Sequence, residues 1–306
     1  MKQIGTHAVR GTLLDAARDA KHRAWLANQS FARTRRTASD QLRTLAARGF
    51  EFDLDRYRDP QGYFPFDFFL QHDFDSAAVV LPVAPAPRVI NLFWTSDNEL
   101  TPNRRRCIRE FRDVQTDDVE VRLITPDNLS DYVLAEAPLH PAYSQLSAIH
   151  RSDYLRAYFL HHHGGGYADI KAPSASWDAT FDWINCDSGA WLVGYPEQSS
   201  EIVQSLHGPL ARDVQRVYSR LVGGGAFVSR PRTPLTAEWM TEVNRRMDYL
   251  SAALTQHPAT DPFGQHADYP VTWIGLMQLV LNPLQLKYLT YIRQDVALTP
   301  QFKEFR

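Results

Sequence analysis

This chain of 306 residues has few cysteines, no long apolar run and almost no net charge. The two cysteines, Cys107 and Cys186, are far apart and form no Cys-x-x-Cys pair, which excludes a disulfide scaffold and favours a reduced, intracellular protein. No stretch approaches the length of a membrane span. The first apolar run is interrupted by Asp15, Arg18 and Asp19, so we expect no leader peptide. These features predict a soluble, cytoplasmic protein.

Charge is balanced overall but unevenly distributed. The chain has 33 basic and 35 acidic residues, a net charge of -2 that gives no indication of a nucleic-acid partner. Residues 1–50 nevertheless hold ten Lys or Arg against three Asp, a local balance of +7. A weak alanine-rich stripe predicts that this segment is a helical extension. Its basic face is either simply solvated or binds an anionic partner, which would be a membrane surface contacted peripherally or an anionic glycan.

Aromatic and acidic residues alternate between Phe50 and Asp75, and a short proline-containing spacer follows at Pro82, Pro85 and Pro87. Aromatic residues in such a connector usually pack onto a domain face, and less often line a sugar site, so we expect packing. The prolines form a stiff spacer. We therefore divide the chain into an N-terminal extension with its connector, residues 1–84, and a main domain, residues 85–306.

The main domain begins with alternating strand and helix patterns. Val89–Trp94 is mostly apolar and bounded by turn residues, as a buried strand would be. Thr101 followed by Pro102 marks a helix start, and the alternating residues 119–123 predict a second strand. This strand–helix–strand order is typical of an α/β fold with a parallel sheet. Further strands are predicted over 189–195 and 226–229, and a helix over 236–254.

The most informative stretch is SAIHRSDYLRAYFLHHHGGGYADIK, from Ser147 to Lys171. Apolar residues at helical spacing predict a helix over its first half. Gly164–Gly166 are predicted to stop that helix, because glycine reaches the left-handed conformation of a helix end without steric cost. A short strand, Tyr167–Lys171, is predicted to follow.

Within this stretch the spacing of charged residues predicts a cluster. Asp153 and Arg156 are three apart and share a helix face, while Asp169 and Lys171 are two apart and share a strand side. The unit of helix, glycines and strand can bring Asp153, Arg156 and Asp169 to one place. Taken alone, Asp153 and Arg156 would more often be an ordinary ion pair of a helix.

The segment SDYLRAYFLHHHGGGYADIK resembles the S-D-x-x-R…G-G-x-Y-x-D-x-D motif of sugar-nucleotide glycosyltransferases with a GT-A fold. This group contains glycosyltransferases with a DXD sugar-binding region, fungal mannosyltransferases, capsular polysaccharide synthesis proteins and glucosylating clostridial toxins. PRVINLFWTSDNELTPNRRRCIREF is similar to the opening strand of the group, P-K-x-I-H-x-x-W. The resemblance covers about residues 85–230.

The resemblance implies a Rossmann-like GT-A domain that moves a sugar from a nucleotide-sugar donor to a saccharide or another hydroxyl acceptor. The expected setting is the synthesis of bacterial surface polysaccharide or glycoconjugate, and retention of configuration is favoured. By the same resemblance, Trp94 would stack on the donor base. Ser152, Asp153 and Arg156 would hold the donor sugar and diphosphate, a task that suits the planar fork of arginine.

Three further assignments follow from the resemblance. Gly165 and Gly166 would let the backbone approach the donor, and Gly223–Gly225 would lie in a loop on the acceptor side. Asp169 would be the catalytic carboxylate and a ligand of Mn²⁺ or Mg²⁺, cations that prefer oxygen ligands.

The chain departs from the D-x-D pattern at its last position, since Asp169 is followed by Ile170 and Lys171. A lysine ammonium only donates hydrogen bonds and cannot bind a metal. Lys171 could instead bring its own charge to the diphosphate, or a distant residue could complete the metal site, with Asp261, His266 and Asp268 as candidates. The departure also leaves a second function open, a catalytically weakened protein that binds nucleotide sugars or glycans.

Overall fold

The computed structural model of the chain describes residues 47, 49–65, 68–71, 83–198, 200, 203 and 208–302. The helical extension expected over the first 50 residues lies almost entirely outside them, and so does its basic face. Both stay predictions. Within the described ranges, every helix is too short or too polar to cross a membrane.

A mixed sheet forms the centre of the described part of the chain. Its strands are β1 (Val89–Phe93), β2 (Glu120–Ile124), β3 (Gly165–Ala168), β4 (Leu192–Pro196), β5 (Val222–Ser229) and β6 (Ile292–Gln294). They lie in the order β2-β1-β3-β5-β4-β6, and β5 alone runs antiparallel to its neighbours. The predicted parallel pair of β1 and β2 is confirmed, with Val89 opposite Glu120. The arrangement is compatible with a Rossmann-like α/β domain.

Six α-helices surround this sheet among the described residues. They are α1 (Pro102–Val114), α2 (Ala148–His162), α3 (Asp178–Cys186), α4 (Pro209–Arg216), α5 (Pro234–Gln256) and α6 (Gln278–Lys287). Hydroxyl caps begin three of them, because Thr101, Ser147 and Thr233 each accept a hydrogen bond from a backbone N–H three residues on. The helix starts predicted from Thr101 and near Thr236 are confirmed to within a few residues.

The two faces of the sheet bury separate apolar clusters, and the alternation of side chains along a strand explains why. Ile90 and Leu92 of β1 point into a cluster with Phe111 and Trp177. Phe93, the next residue of the same strand, belongs to the larger cluster on the opposite face.

The connector contributes to the larger cluster. Phe50, Tyr57, Phe68 and Phe69 are buried in it, so the prediction that the aromatic residues pack is confirmed for these four, whereas Tyr63 is 70 % exposed. Polar contacts add to this packing at Asp213 of α4, whose side chain is only 2 % exposed. Its carboxylate accepts hydrogen bonds from Arg56 Nη2 at 3.0 Å and from the Tyr57 hydroxyl at 3.2 Å.

The chain between α2 and β3 differs from the sequence prediction. Gly164, at φ +67°, ends the helix, but Gly165 and Gly166 already belong to β3, which stops at Ala168. A Cβ at Gly165 would lie 2.9 Å from the Val89 carbonyl oxygen. The second and third glycines therefore serve the close approach of β1, and the prediction that all three stop the helix is wrong.

Asp169 and Lys171 lie just beyond β3 and not on a strand. The Lys171 N–H donates to the Asp169 carbonyl at 2.7 Å, which closes a three-residue turn. This turn, and not strand alternation, brings the two side chains to one side.

Candidate functional site

Five of the six strands have their carboxyl ends on one side of the sheet, called here the carboxyl edge, and β5 begins there. Ligands of open α/β sheets bind outside the carboxyl ends of the strands. Thr95 follows β1 at this edge, and its hydroxyl donates to the Ala148 carbonyl in the first turn of α2. Asp169 follows β3 at the same edge. The sheet thus places the amino end of α2 beside the end of β3.

Arg156 of α2 is buried at the centre of this edge, with 7 % of its surface exposed. Its Nη1 donates to the Gly224 carbonyl at 2.9 Å, and its Nη2 donates to the Tyr167 hydroxyl at 2.6 Å. The same Nη2 lies 3.4 Å from Asp153 Oδ1 and 3.6 Å from Asp169 Oδ1. The structure therefore brings together the three charged residues whose convergence the sequence predicts.

Asp169 receives hydrogen bonds on both carboxylate oxygens. The Tyr167 hydroxyl donates to Oδ1 at 2.7 Å, and Lys171 Nζ donates to Oδ2 at 2.6 Å. Burial alone would raise the pKa of Asp169, but the charges of Lys171 and Arg156 and these hydrogen bonds outweigh it, so the pKa is lowered. Asp169 is consequently ionised at neutral pH. Its side chain is 28 % exposed, so solvent and a ligand can reach it.

Asp153 lies deeper and is held differently. Burial raises its pKa to about 6, a shift that Arg156 opposes and the nearby charge of Asp169 increases. Burial lowers the pKa of Arg156, but Tyr167 and the two carboxylates outweigh this effect and raise it, so the guanidinium stays charged. Ser152, the third polar residue predicted on this helix, is close enough to the Tyr167 hydroxyl to lower its pKa, although burial raises that pKa overall.

The start of β5 packs directly against the cluster. The Asp169 N–H donates to the Gly225 carbonyl at 2.8 Å, and a Cβ at Gly225 would lie 3.1 Å from Asp169 Oδ2. The Tyr195 hydroxyl accepts from the Gly225 N–H at 3.3 Å, and a Cβ at Gly223 would overlap the Tyr195 ring. The predicted loop Gly223–Gly225 is thus a strand, whose glycines admit a carboxylate and an aromatic ring.

Sequence reasoning missed two residues of the cluster, Tyr167 and Tyr195. Tyr167 lies two positions before Asp169, and the alternation of a strand could have placed it on the same side. Tyr195 reaches the site only because β4 pairs with β5, for which the sequence gives no local signal.

A cavity of about 200 Å³ opens at the ends of β1 and β2. It is lined by both apolar and hydroxyl-bearing side chains, together with one arginine: Thr95, Ile124, Thr125, Pro126, Leu129, Tyr143, Ser144, Arg151 and Leu155. Trp94 precedes Thr95 but is not among the lining residues. Its ring packs partly buried against the cluster of Ile90 and Leu92, and its indole N–H donates to the Asn98 carbonyl at 2.7 Å.

Four predicted site residues lie away from the cluster. Gly165 and Gly166 are buried at the start of β3, the end opposite Asp169, and their predicted contact with the donor stays a prediction. His266 Nε2 contacts the Pro258 carbonyl at 3.2 Å, and Asp268 is exposed.

The described residues do not fit the divalent-cation site that a D-x-D motif implies. Among them, no three or more His, Cys, Asp or Glu side chains come together as a metal site of protein ligands would require, whether at His266, Asp268 or Asp169. At Asp169 both oxygens already accept hydrogen bonds, one of them from an ammonium. Asp153 is paired with Arg156 and supplies no second ligand in this arrangement.

One comparison with known proteins bears on this site. Residues 85–170 match the model of the capsular polysaccharide synthesis protein family. The match runs from just before β1 to one residue beyond Asp169, so it includes Asp153, Arg156 and Asp169. It supports that family for this part of the chain and suggests a role in polysaccharide synthesis. No curated protein matches the chain.

Proposed function

We propose that the chain is a glycosyltransferase of GT-A architecture that moves a sugar from a nucleotide-sugar donor to a hydroxyl group of a saccharide or another acceptor. The observation that carries this proposal is the cluster of Arg156, Lys171 and Asp169 at the carboxyl edge of the sheet. The family match of residues 85–170 agrees with a substrate of this class.

The chemistry of sugar transfer explains why such a cluster is useful. As the bond from the sugar to the diphosphate breaks, negative charge builds on the leaving group, and fixed positive groups that need no reorganisation stabilise it best. Lys171 and Arg156 are such groups, since the Asp169 carboxylate and the Tyr167 hydroxyl hold them in place. Arg156 is nearly inaccessible, so in this proposal it contributes charge and positions Asp169, while Lys171 faces the diphosphate.

In this proposal the donor nucleoside binds in the cavity beside the cluster. Its mixture of apolar walls and hydroxyl groups suits a flat base with polar edges. The same helix serves both regions, because Arg151 and Leu155 of α2 line the cavity while Asp153 and Arg156 belong to the cluster. A donor bound along the amino end of α2 would therefore span from the cavity to Asp169.

A second candidate function is a nucleotide-sugar or glycan-binding protein with little turnover. The observation that favours it is the ammonium of Lys171 on Asp169 Oδ2, where relatives with D-x-D would place a metal. Donor hydrolysis separates the two candidates, because a binding protein holds the donor without releasing free sugar. NMR of the transferred sugar would show whether configuration is retained, as the resemblance favours.

The Asp169→Asn variant tests the proposed function. Asn keeps an acceptor for Tyr167 but removes the charge that fixes Lys171, so we expect a folded protein whose donor turnover falls by about two orders of magnitude or more. The thermal shift of a nucleotide-sugar panel identifies the donor first, because a ligand that binds only the folded state raises its stability. Asp268→Asn is the control and should leave turnover unchanged. Near-normal turnover of Asp169→Asn would contradict the assignment.

A further inference from the structure

The ammonium of Lys171 is fixed from two sides. It donates to Asp169 Oδ2 at 2.6 Å, and it lies 4.9 Å from the centre of the Phe302 ring. The segment that carries Phe302 is itself anchored, since the Gln301 N–H donates to the Ala172 carbonyl at 2.9 Å. The side chain of Lys171 is 14 % exposed. The chain thus holds one positive charge at the position beside Asp169.

Two other cations surround the same turn. Arg156 Nη2 lies 3.6 Å from the other oxygen of Asp169. From the amino end of α1, Arg104 Nη1 donates to the carbonyl of Ile170, the residue between Asp169 and Lys171. Three positive groups therefore converge on a turn that contains a single carboxylate, and a second carboxylate, Asp153, lies on the far side of Arg156.

This charge balance disfavours a divalent cation at Asp169. A metal ion bound to Oδ2 would lie beside the Lys171 ammonium and a few ångströms from the Arg156 guanidinium, and both cations would repel it. Two carboxylates at this position would have the opposite effect, because they repel one another and an anionic donor until a cation neutralises them. With Lys171 in place of the second aspartate of D-x-D, the turn therefore has no pair of carboxylates whose charge a metal ion would need to neutralise.

We infer that Lys171 occupies the place of the divalent cation, and that the site binds the diphosphate of its donor without a metal. The inference rests on the proposed function, since it concerns the donor of that reaction. The ammonium contacts the leaving-group oxygens, and Asp169 keeps it oriented. No residue of the cluster needs to change its protonation for the donor to enter.

The test is calorimetric titration of nucleoside diphosphates, with UDP, GDP, CDP and ADP as probes, into the full chain in EDTA and then in Mn²⁺. For the diphosphate that binds, we expect dissociation constants within about threefold of each other in the two conditions. Lys171→Met should weaken binding by about tenfold or more in EDTA, because a charge-assisted contact is lost. Mn²⁺ should not restore it, since Asp169 alone offers one carboxylate.

Lys171→Asp provides the complementary result. It recreates two carboxylates, so binding should be lost in EDTA and return with Mn²⁺, and titration of Mn²⁺ alone should show a site that the wild type lacks. Lys287→Met is the matched control, because that ammonium is also paired with a carboxylate, Glu238 at 2.8 Å. It should leave diphosphate binding unchanged. Thermal unfolding shows whether each variant is folded.

The outcomes separate the inference from the function on which it rests. If wild-type binding disappears in EDTA and returns with Mn²⁺, Lys171 does not replace the metal, while the glycosyltransferase proposal stands. The inference is also overturned if Lys171→Met, folded, binds in EDTA as tightly as the wild type. If no diphosphate binds in either condition, the proposed function itself fails.

Discussion

Replacement of Arg156 by methionine is expected to destabilise the protein more than any exposed charge replacement. The guanidinium is the cation that lies between Asp153 and Asp169, and it also donates to Tyr167 and Gly224. Removing one partner of a buried ion pair leaves the other charge uncompensated, which costs about 3–5 kcal/mol. For a chain of this size we expect the melting temperature to fall by roughly 10 °C.

A double-mutant cycle shows whether the uncompensated charge is the cause. Asp153 is the more buried carboxylate, so Asp153→Asn in the Arg156→Met background removes the charge that the first replacement isolates. The double variant should be more stable than the sum of the single effects predicts, by about 1–3 kcal/mol. Urea unfolding followed by tryptophan fluorescence measures all four proteins.

The matched control is Arg245→Met. Arg245 is 48 % exposed and paired with Glu242 at 2.6 Å, but Glu242 keeps a second partner in Arg246 at 2.7 Å. Loss of such an exposed pair costs about 1 kcal/mol or less. If Arg156→Met costs no more than this control, or if the cycle is additive, the cluster does not depend on the guanidinium in the way proposed.

Two further predictions concern Gly223, at the cluster, and the histidines at the carboxyl end of α2. Gly223→Ala should lower both the melting temperature and donor turnover, because its Cβ would overlap the Tyr195 ring. Adding Tyr195→Ala should recover the melting temperature but not turnover. An unchanged melting temperature of the single variant would show that the ring moves freely. Burial lowers the pKa values of His161 and His162 to about 4, whereas imidazole normally titrates near 6.5. The unfolded chain therefore binds these protons first, so the free energy of unfolding should fall between pH 6.5 and pH 4, and thermal melts should show a smaller fall when both residues are replaced by Gln.

The elements that local rules govern were predictable from the sequence. Helix α1 has its Thr-Pro start, and α2 has an apolar periodicity followed by Gly164, so their bounds agree with prediction to within a residue or two. The meeting of Arg156 and Asp169 follows from the same local geometry, since a helix, a tight turn and a short strand connect them.

What escaped prediction depends on pairing between distant segments. Gly165 and Gly166 have low intrinsic strand preference, and only their position between β1 and β5 makes them a strand. Phe302 reaches Lys171 because the chain returns to the site more than a hundred residues later. A pattern within one segment carries no information about such contacts.

The connector also determines where the chain can be truncated for expression. A fragment that began at residue 85 would contain the whole sheet but would lack Tyr57, Phe68 and the other aromatic residues that cover the larger cluster. It would also leave Asp213 buried without Arg56 and Tyr57. Such a fragment would expose apolar surface and an isolated carboxylate, so it would aggregate on expression. The shortest useful fragment for crystallisation therefore begins before residue 49.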